Sequence, residues 1–301
     1  MGGVRNRSAA DWNYGHMIVY VAYLATDGGK DAVALGAQLA RTLDAEVAIG
    51  MIVPPDNAAA MAPGDFDEVL TAQADGWLSD ARDLITDDIP VSTHIGVYDS
   101  IAGGIIAEAE RVGASIIVAG GSGGGLLGPY SLGSVVNDLL HSAPLPVAIA
   151  PRGFRNQGVR TVREVTCALG TRYGAEAVLE TAIRGCQRAG VPLRLISLIA
   201  LDLMPSKRRE DSNAVYAAEK HAERLLDEAR GRLPGVVEVS SAVATGPSVE
   251  DAVRRLDWQP GDVILVGSSR LAAPRRLFLG STAAKMLRVV AVPMIVVPRE
   301  I

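Results

Sequence analysis

Aromatic residues are scarce in this chain. Phe, Trp and Tyr make up 4% of its 301 residues, against 49% for apolar residues as a whole. A core built from such a sequence is aliphatic, which suits parallel strands buried on both faces beneath Ala-rich helices. Cysteine is nearly absent as well. Cys167 and Cys186 both fall in the second half, at a spacing that fits neither a zinc site nor a disulfide framework. They read as small buried hydrophobes, a usage at home in a reducing cytoplasm. No apolar run approaches the roughly 20 residues that a membrane-spanning helix needs. The net charge is -5 and no polybasic tract stands out, so nucleic acid has no evident footprint. Residues 1–15 carry Arg5 and Arg7 with no apolar stretch behind them. They are expected to form a flexible leader and not a secretory signal.

Catalytic signatures are missing too. No Gly-Lys-Ser/Thr ending is present, so there is no Walker phosphate loop. A Gly-x-Ser-x-Gly elbow occurs only in broken form around Gly121-Ser-Gly-Gly. His16, His94, His141 and His221 are scattered without ligand spacing and read as surface or satisfied side chains. No acidic pair marks a magnesium site. The charges of 206–230 include like-charge pairs four apart (Glu219 with Glu223, Lys220 with Arg224), as on a solvated helix face.

What the sequence does have is a repeat. Ser115-Ile-Ile-Val-Ala-Gly120 returns as Asp262-Val-Ile-Leu-Val-Gly267, and Leu132-Gly-Ser134 returns as Leu279-Gly-Ser281. Leu145-Pro-Val-Ala-Ile-Ala-Pro-Arg152 returns as Val292-Pro-Met-Ile-Val-Val-Pro-Arg299. Each match is displaced by 147 residues, as in Gly120 to Gly267, Gly133 to Gly280 and Pro151 to Pro298. Two unrelated domains would not keep one register across all three segments, so the chain reads as a duplication.

Each copy alternates strand and helix. In the first, strands are expected at 17–23, 46–53, 89–97, 115–119 and 146–150. Helices are expected at 27–43, 65–84, from the Asp99-Ser100 cap to near Gly113, and at 134–141. Asp27 reads as the cap of the first helix. The second copy has strands near 164–169, 192–199, 236–244, 262–266 and 293–297. This alternation predicts an α/β protein of two tandem doubly wound domains, residues 16–152 and 160–299, each a parallel sheet flanked by helices. Residues 151–163, with Pro, Gly, Asn and four Arg, read as the linker between them. Doubly wound sheets bind ligands beyond the carboxyl ends of their strands, where strand order reverses.

The fourth strand of the first copy runs into Gly120-x2-Gly123-x9-Gly133-Ser134 and then a helix. Glycines let backbone N–H groups approach an anion without a Cβ in the way. A helix beginning at Ser134 offers unpaired N–H groups and the positive end of its dipole.

On this motif and on the Pro-Val ending of each copy, the sequence resembles the universal stress protein family, over about residues 16–299. The resemblance implies strand order 3-2-1-4-5 in each five-stranded domain, with the fifth strands pairing the two halves inside the chain. A homodimer is left open. It further implies an adenine nucleotide, ATP with or without Mg, on Gly120, Gly123, Gly133 and Ser134, with Ala22, Leu24 and Ile52 as apolar walls. Gly267, Gly280 and Ser281 are the corresponding positions of the second half. The implied role is stress-response regulation, with slow ATP hydrolysis at most.

The sequence departs from the family pattern twice. ATP-binding members carry an Asp after the first strand, where this chain has Leu24 and, in the second copy, Gly170. In the second loop, Arg270 replaces the second glycine, and Arg275 and Arg276 follow. Their guanidinium groups are expected on the surface or against acidic groups of the other half, with phosphate capture as the alternative. An interaction module that binds no nucleotide is thus the competing reading.

Overall fold

A computed structural model describes residues 16–55, 65–121, 133–169, 175–203, 212–231, 235, 237–269, 272 and 276–299. The first half runs β1 (Ile18–Ala22), α1 (Asp27–Leu43), β2 (Glu46–Val53), α2 (Asp65–Arg82), β3 (Val91–Val97), α3 (Ile101–Arg111), β4 (Ile116–Gly120), α4 (Ser134–Ser142) and β5 (Val147–Ala150). The second runs β6 (Glu164–Ala168), α5 (Ala175–Ala189), β7 (Leu193–Ala200), α6 (Ser212–Gly231), β8 (Val239–Gly246), α7 (Val249–Arg254), β9 (Asp262–Gly267), α8 (Ser281–Leu287) and β10 (Met294–Val297). The strand expected over 236–244 is therefore displaced toward the chain end.

All strands join one ten-stranded sheet, in the order β3-β2-β1-β4-β5-β10-β9-β6-β7-β8. Each half keeps the order 3-2-1-4-5, and its internal pairings are parallel. The halves meet where β5 and β10 pair antiparallel, Met294 opposite Ile149 and Val296 opposite Val147. The fifth strands thus pair inside the chain.

Burial follows position in the sheet. β2, with a neighbour on each side, is buried along its six central residues. The edge strands β3 and β8 each expose two adjacent polar residues, Ser92-Thr93 and Ser240-Ser241. Two apolar layers cover the faces. One joins Val19 and Val21 to α1, α2, α5 and α6; the other joins Tyr20 and Ile117 to α3, α4, α7 and α8. Both layers contain residues of both halves, so the core is continuous across the seam. Cys167 and Cys186 belong to it as free thiols, and burial pushes the Cys186 thiol up to about 12.

The linker does not hang free. It docks along α1, which presents three polar side chains at one helical spacing. Asp31, almost fully buried, accepts from the backbone N–H of Gly153 (2.8 Å) and Arg155 (3.0 Å) and from the Arg155 guanidinium (3.0 Å). Gln38 Nε2 donates to the Thr161 carbonyl (3.1 Å), and the Val162 N–H donates to Thr42 Oγ1 (2.8 Å). Phe154, in a short 3-10 turn over Phe154–Gln157, is buried against the core. Among the described residues, no helix is long and apolar enough to cross a membrane. Removing the Asp31 carboxylate strips three donors of one acceptor. Asp31→Ala is expected to lower stability by about 2–3 kcal/mol, measured by urea unfolding.

Candidate functional site

The carboxyl ends of β1, β2 and β4 open onto a crevice of about 210 Å³. Six of the positions singled out from the sequence line it together: Ala22, Leu24, Ile52, Gly120, Gly133 and Ser134. Gly123 lies outside the described residues. The crevice also takes in positions the sequence did not single out, among them Thr26, Gly28, Gly29, Gly50, Ile101 and Ile105. The adjacent Gly28 and Gly29 after β1 are the signal in the sequence that points to this contact.

Their reason is backbone proximity. A Cβ on Gly120 would stand 1.8 Å from the Gly28 carbonyl oxygen, and one on Gly28 would stand 2.2 Å from that of Gly121. The exit of β4 therefore lies directly against the first turn of α1. Thr26, not Asp27, caps α1, its hydroxyl accepting from the Gly29 N–H (3.2 Å). Asp27 is turned toward the linker and pairs with Arg155 (3.0 Å). Leu24, at the position where the resemblance places an Asp, is half-exposed at the crevice.

The second helix at the crevice is α4. Its N-cap is Gly133, which supplies no side-chain acceptor to the first-turn N–H groups. Those groups and the Ser134 hydroxyl form the polar end of the crevice, and Ala22, Ile52, Ile101 and Ile105 form the apolar end.

Below the crevice lies a polar cluster. The fully buried Tyr20 hydroxyl sits where a side chain at Gly50 would begin, and no described residue hydrogen-bonds it. Burial, reinforced by the nearby Glu108 carboxylate, pushes its pKa up. Glu108 accepts from Tyr98 Oη (2.9 Å) and from Arg111 Nη2 (2.6 Å), and Arg111 holds its carboxyl below the ordinary carboxylate value. His94 Nδ1 accepts from the same guanidinium (3.2 Å), and its Nε2 lies 2.9 Å from Ser92 Oγ. Burial first, then the Arg111 charge, lower the His94 pKa below 6.5.

The corresponding region of the second half is arranged differently. Gly267, Gly280 and Ser281 stand at the exit of β9 and the start of α8. The Phe278 backbone, however, bonds the loop end. Its N–H donates to Ser268 Oγ (2.8 Å), and its carbonyl accepts from the Ser269 N–H (2.8 Å). The same segment reaches the first half, Leu277 N–H donating to the Ala143 carbonyl and Leu279 N–H to that of Leu140. Arg276 donates to the Ser142 carbonyl (2.7 Å), so it contacts the other half through a neutral carbonyl. Lys285 pairs with Asp202, tying α8 to the exit of β7. Gly170, Arg270 and Arg275 lie outside the described residues.

The universal stress protein family model matches residues 15–151 and 162–298. The chain belongs to that family. It is 29% identical to the universal stress protein Rv2319c of Mycobacterium tuberculosis over 294 residues, covering 94% of this chain and all of that one. Slr1230, a universal stress protein of Synechocystis, is 26% identical over 164 residues, 54% of this chain and 50% of its own length. Among solved structures, a universal stress protein from Archaeoglobus fulgidus superposes with a TM-score of 0.58 at 18% identity, covering 93% of this chain and 98% of that one. A functionally unknown protein from Pseudomonas aeruginosa PAO1 gives 0.56 at 18%, covering 96% and 95%. These structures support the fold, and the family supports a role in the stress response.

The polar cluster yields two expectations. Tyr20→Phe removes a buried hydroxyl that has no partner among the described residues, and is expected to raise stability by about 1 kcal/mol in urea unfolding. His94 titrates below its ordinary value when folded. It therefore contributes stability that is complete above pH 6.5 and is lost as pH falls through the lower folded pKa. A His94→Gln variant should show a flatter fall in melting temperature between about pH 7 and 5.

Proposed function

We infer that this universal stress protein is a regulator that binds an adenine nucleotide, ATP foremost, in the crevice of its first half. The observation that carries the reading is the N-terminus of α4. Gly133 leaves the first-turn N–H groups of this nine-residue helix without a side-chain cap, and they open onto the crevice beside Ser134, Gly120 and Gly121. Unpaired N–H groups at the positive end of a helix dipole favour a phosphate. The apolar residues at the other end of the crevice suit a flat base. An adenine nucleotide joins both features in one molecule. Nucleotide occupancy would alter the surface offered to a partner, in the cytoplasm that two buried free thiols suit.

Two observations favour the competing reading of an interaction module without nucleotide. Leu24 brings an apolar side chain to the position of the family's Asp, and Phe278 bonds the loop end of the second half. Calorimetric titration of the full chain with Mg-ATP and with AMP separates the readings. Saturable binding of about one nucleotide per chain is expected, weakened about tenfold by Gly123→Val and about fivefold by Ser134→Ala. No heat at millimolar nucleotide, or affinity unchanged in both variants, would leave the module without ligand as the correct reading.

A further inference from the structure

The sheet ends at β3 on one side and β8 on the other, and the two edges differ. In a parallel ladder, alternate residues of a strand turn both backbone groups to the same neighbour. The Pro90 carbonyl accepts from the Val47 N–H, and the Tyr98 N–H donates to the Val53 carbonyl. The even-numbered residues between them therefore bond β2, and the N–H and C=O groups of Val91, Thr93, Ile95 and Val97 point out of the sheet. Among the described residues, none bonds these outward groups. On β8, the Glu238 carbonyl accepts from the Leu193 N–H, which turns Val239, Ser241, Val243 and Thr245 outward. There the Arg255 guanidinium occupies the Thr245 carbonyl (2.7 Å).

Folded proteins guard open edges with charge, proline, a bulge or a very short strand. β3 has none of these. It runs seven residues, Val-Ser-Thr-His-Ile-Gly-Val, without a Lys, Arg, Asp, Glu or Pro, and its pairing with β2 is unbroken. Val97 on it is 63% exposed, more than any other large apolar side chain among the described residues. The strand is also its own complement. Turned antiparallel about a two-fold axis at His94, it sets Val91 opposite Val97 and Thr93 opposite Ile95. Outward groups then meet outward groups, and each pair can exchange both bonds. His94 sits on the axis, its ring bonded to Arg111 and Ser92 of its own copy. The chain already joins its two halves by this device, since the corresponding strands β5 and β10 pair antiparallel.

We propose that β3 is an interface for a second copy of this chain, the two strands pairing antiparallel about His94. Val97 is then covered by Val91 of the second copy, and the ten-stranded sheet continues into another. A β3–β8 contact would instead propagate from copy to copy, and Arg255 stands in its way. The β3–β3 contact closes on itself as a dimer. One strand pair falls at the small end of protein interfaces, so the dimer is reversible, with a Kd on the order of 10 μM. The interface is independent of the nucleotide crevice, and its test stands whether or not a nucleotide binds.

Sedimentation velocity of the full chain over a concentration series is expected to show a monomer–dimer equilibrium. Thr93→Pro removes an outward N–H and no bond to β2, and should weaken the dimer by about tenfold or more. Val97→Lys should do the same by placing a charge on the edge. Ser241→Pro, at the corresponding position of β8, should leave association unaltered. In the wild-type protein, amide hydrogen exchange at Thr93, Ile95 and Val97 should slow as protein concentration rises, with no change at Ser241 and Val243, a readout that does not depend on any variant folding. The proposal is overturned by a chain that stays monomeric to about 200 μM, by a dimer that folded Thr93→Pro and Val97→Lys variants leave intact, by one that Ser241→Pro disrupts equally, or by exchange that slows only outside β3.

Discussion

The antiparallel pairing of β5 with β10 is the constraint on which the rest of the molecule depends. A five-stranded parallel sheet ending at a four-residue apolar strand would present a row of unpaired N–H and C=O groups beside buried side chains. Every residue of β5 and of β10 is buried, and each strand gives the other its missing partner. Because the pairing joins two copies in one chain, the apolar layers on both faces continue across it. The two halves share one core, and neither is complete at the seam without the other.

The seam also explains polar residues that a single domain would not bury. Asp31, Gln38 and Thr42 lie on one face of α1 and receive the linker as it passes toward β6. Their partners are backbone groups of residues 153–162, which have no secondary-structure ladder to satisfy them. The connection thereby runs the length of α1, and Arg155 ties it to Asp27 in the first turn, beside the Gly28 that touches the exit of β4. The crevice and the start of the linker meet at that helix end.

Duplication has kept the fold and let the two strand exits diverge. In the first half, glycines bring β4 against α1, and α4 begins without a side-chain cap. In the second, Ser268 and Ser269 are bonded to Phe278, whose segment also clasps the end of α4. Backbone geometry that opens a crevice in one copy serves the interface in the other. Family membership constrains the sheet order more tightly than it constrains the chemistry of either loop, because the sheet order is held by the whole packed core whereas loop chemistry rests on a few exposed residues.

The sequence by itself determined the duplication, the strand order implied by its family likeness, and the gathering of Ala22, Ile52, Gly120, Gly133 and Ser134 at one end of the first sheet. The duplication and the glycine motif are local patterns that survive in a linear reading, whereas the strand order and the positions of Ala22 and Ile52 came through the family likeness. Tertiary structure alone decided that Thr26 and not Asp27 caps α1, that the linker lies along Asp31, Gln38 and Thr42, and that Tyr20 reaches Gly50. Each of these depends on residues far apart in the chain being brought within a few ångströms, and no pattern within a single segment encodes that distance.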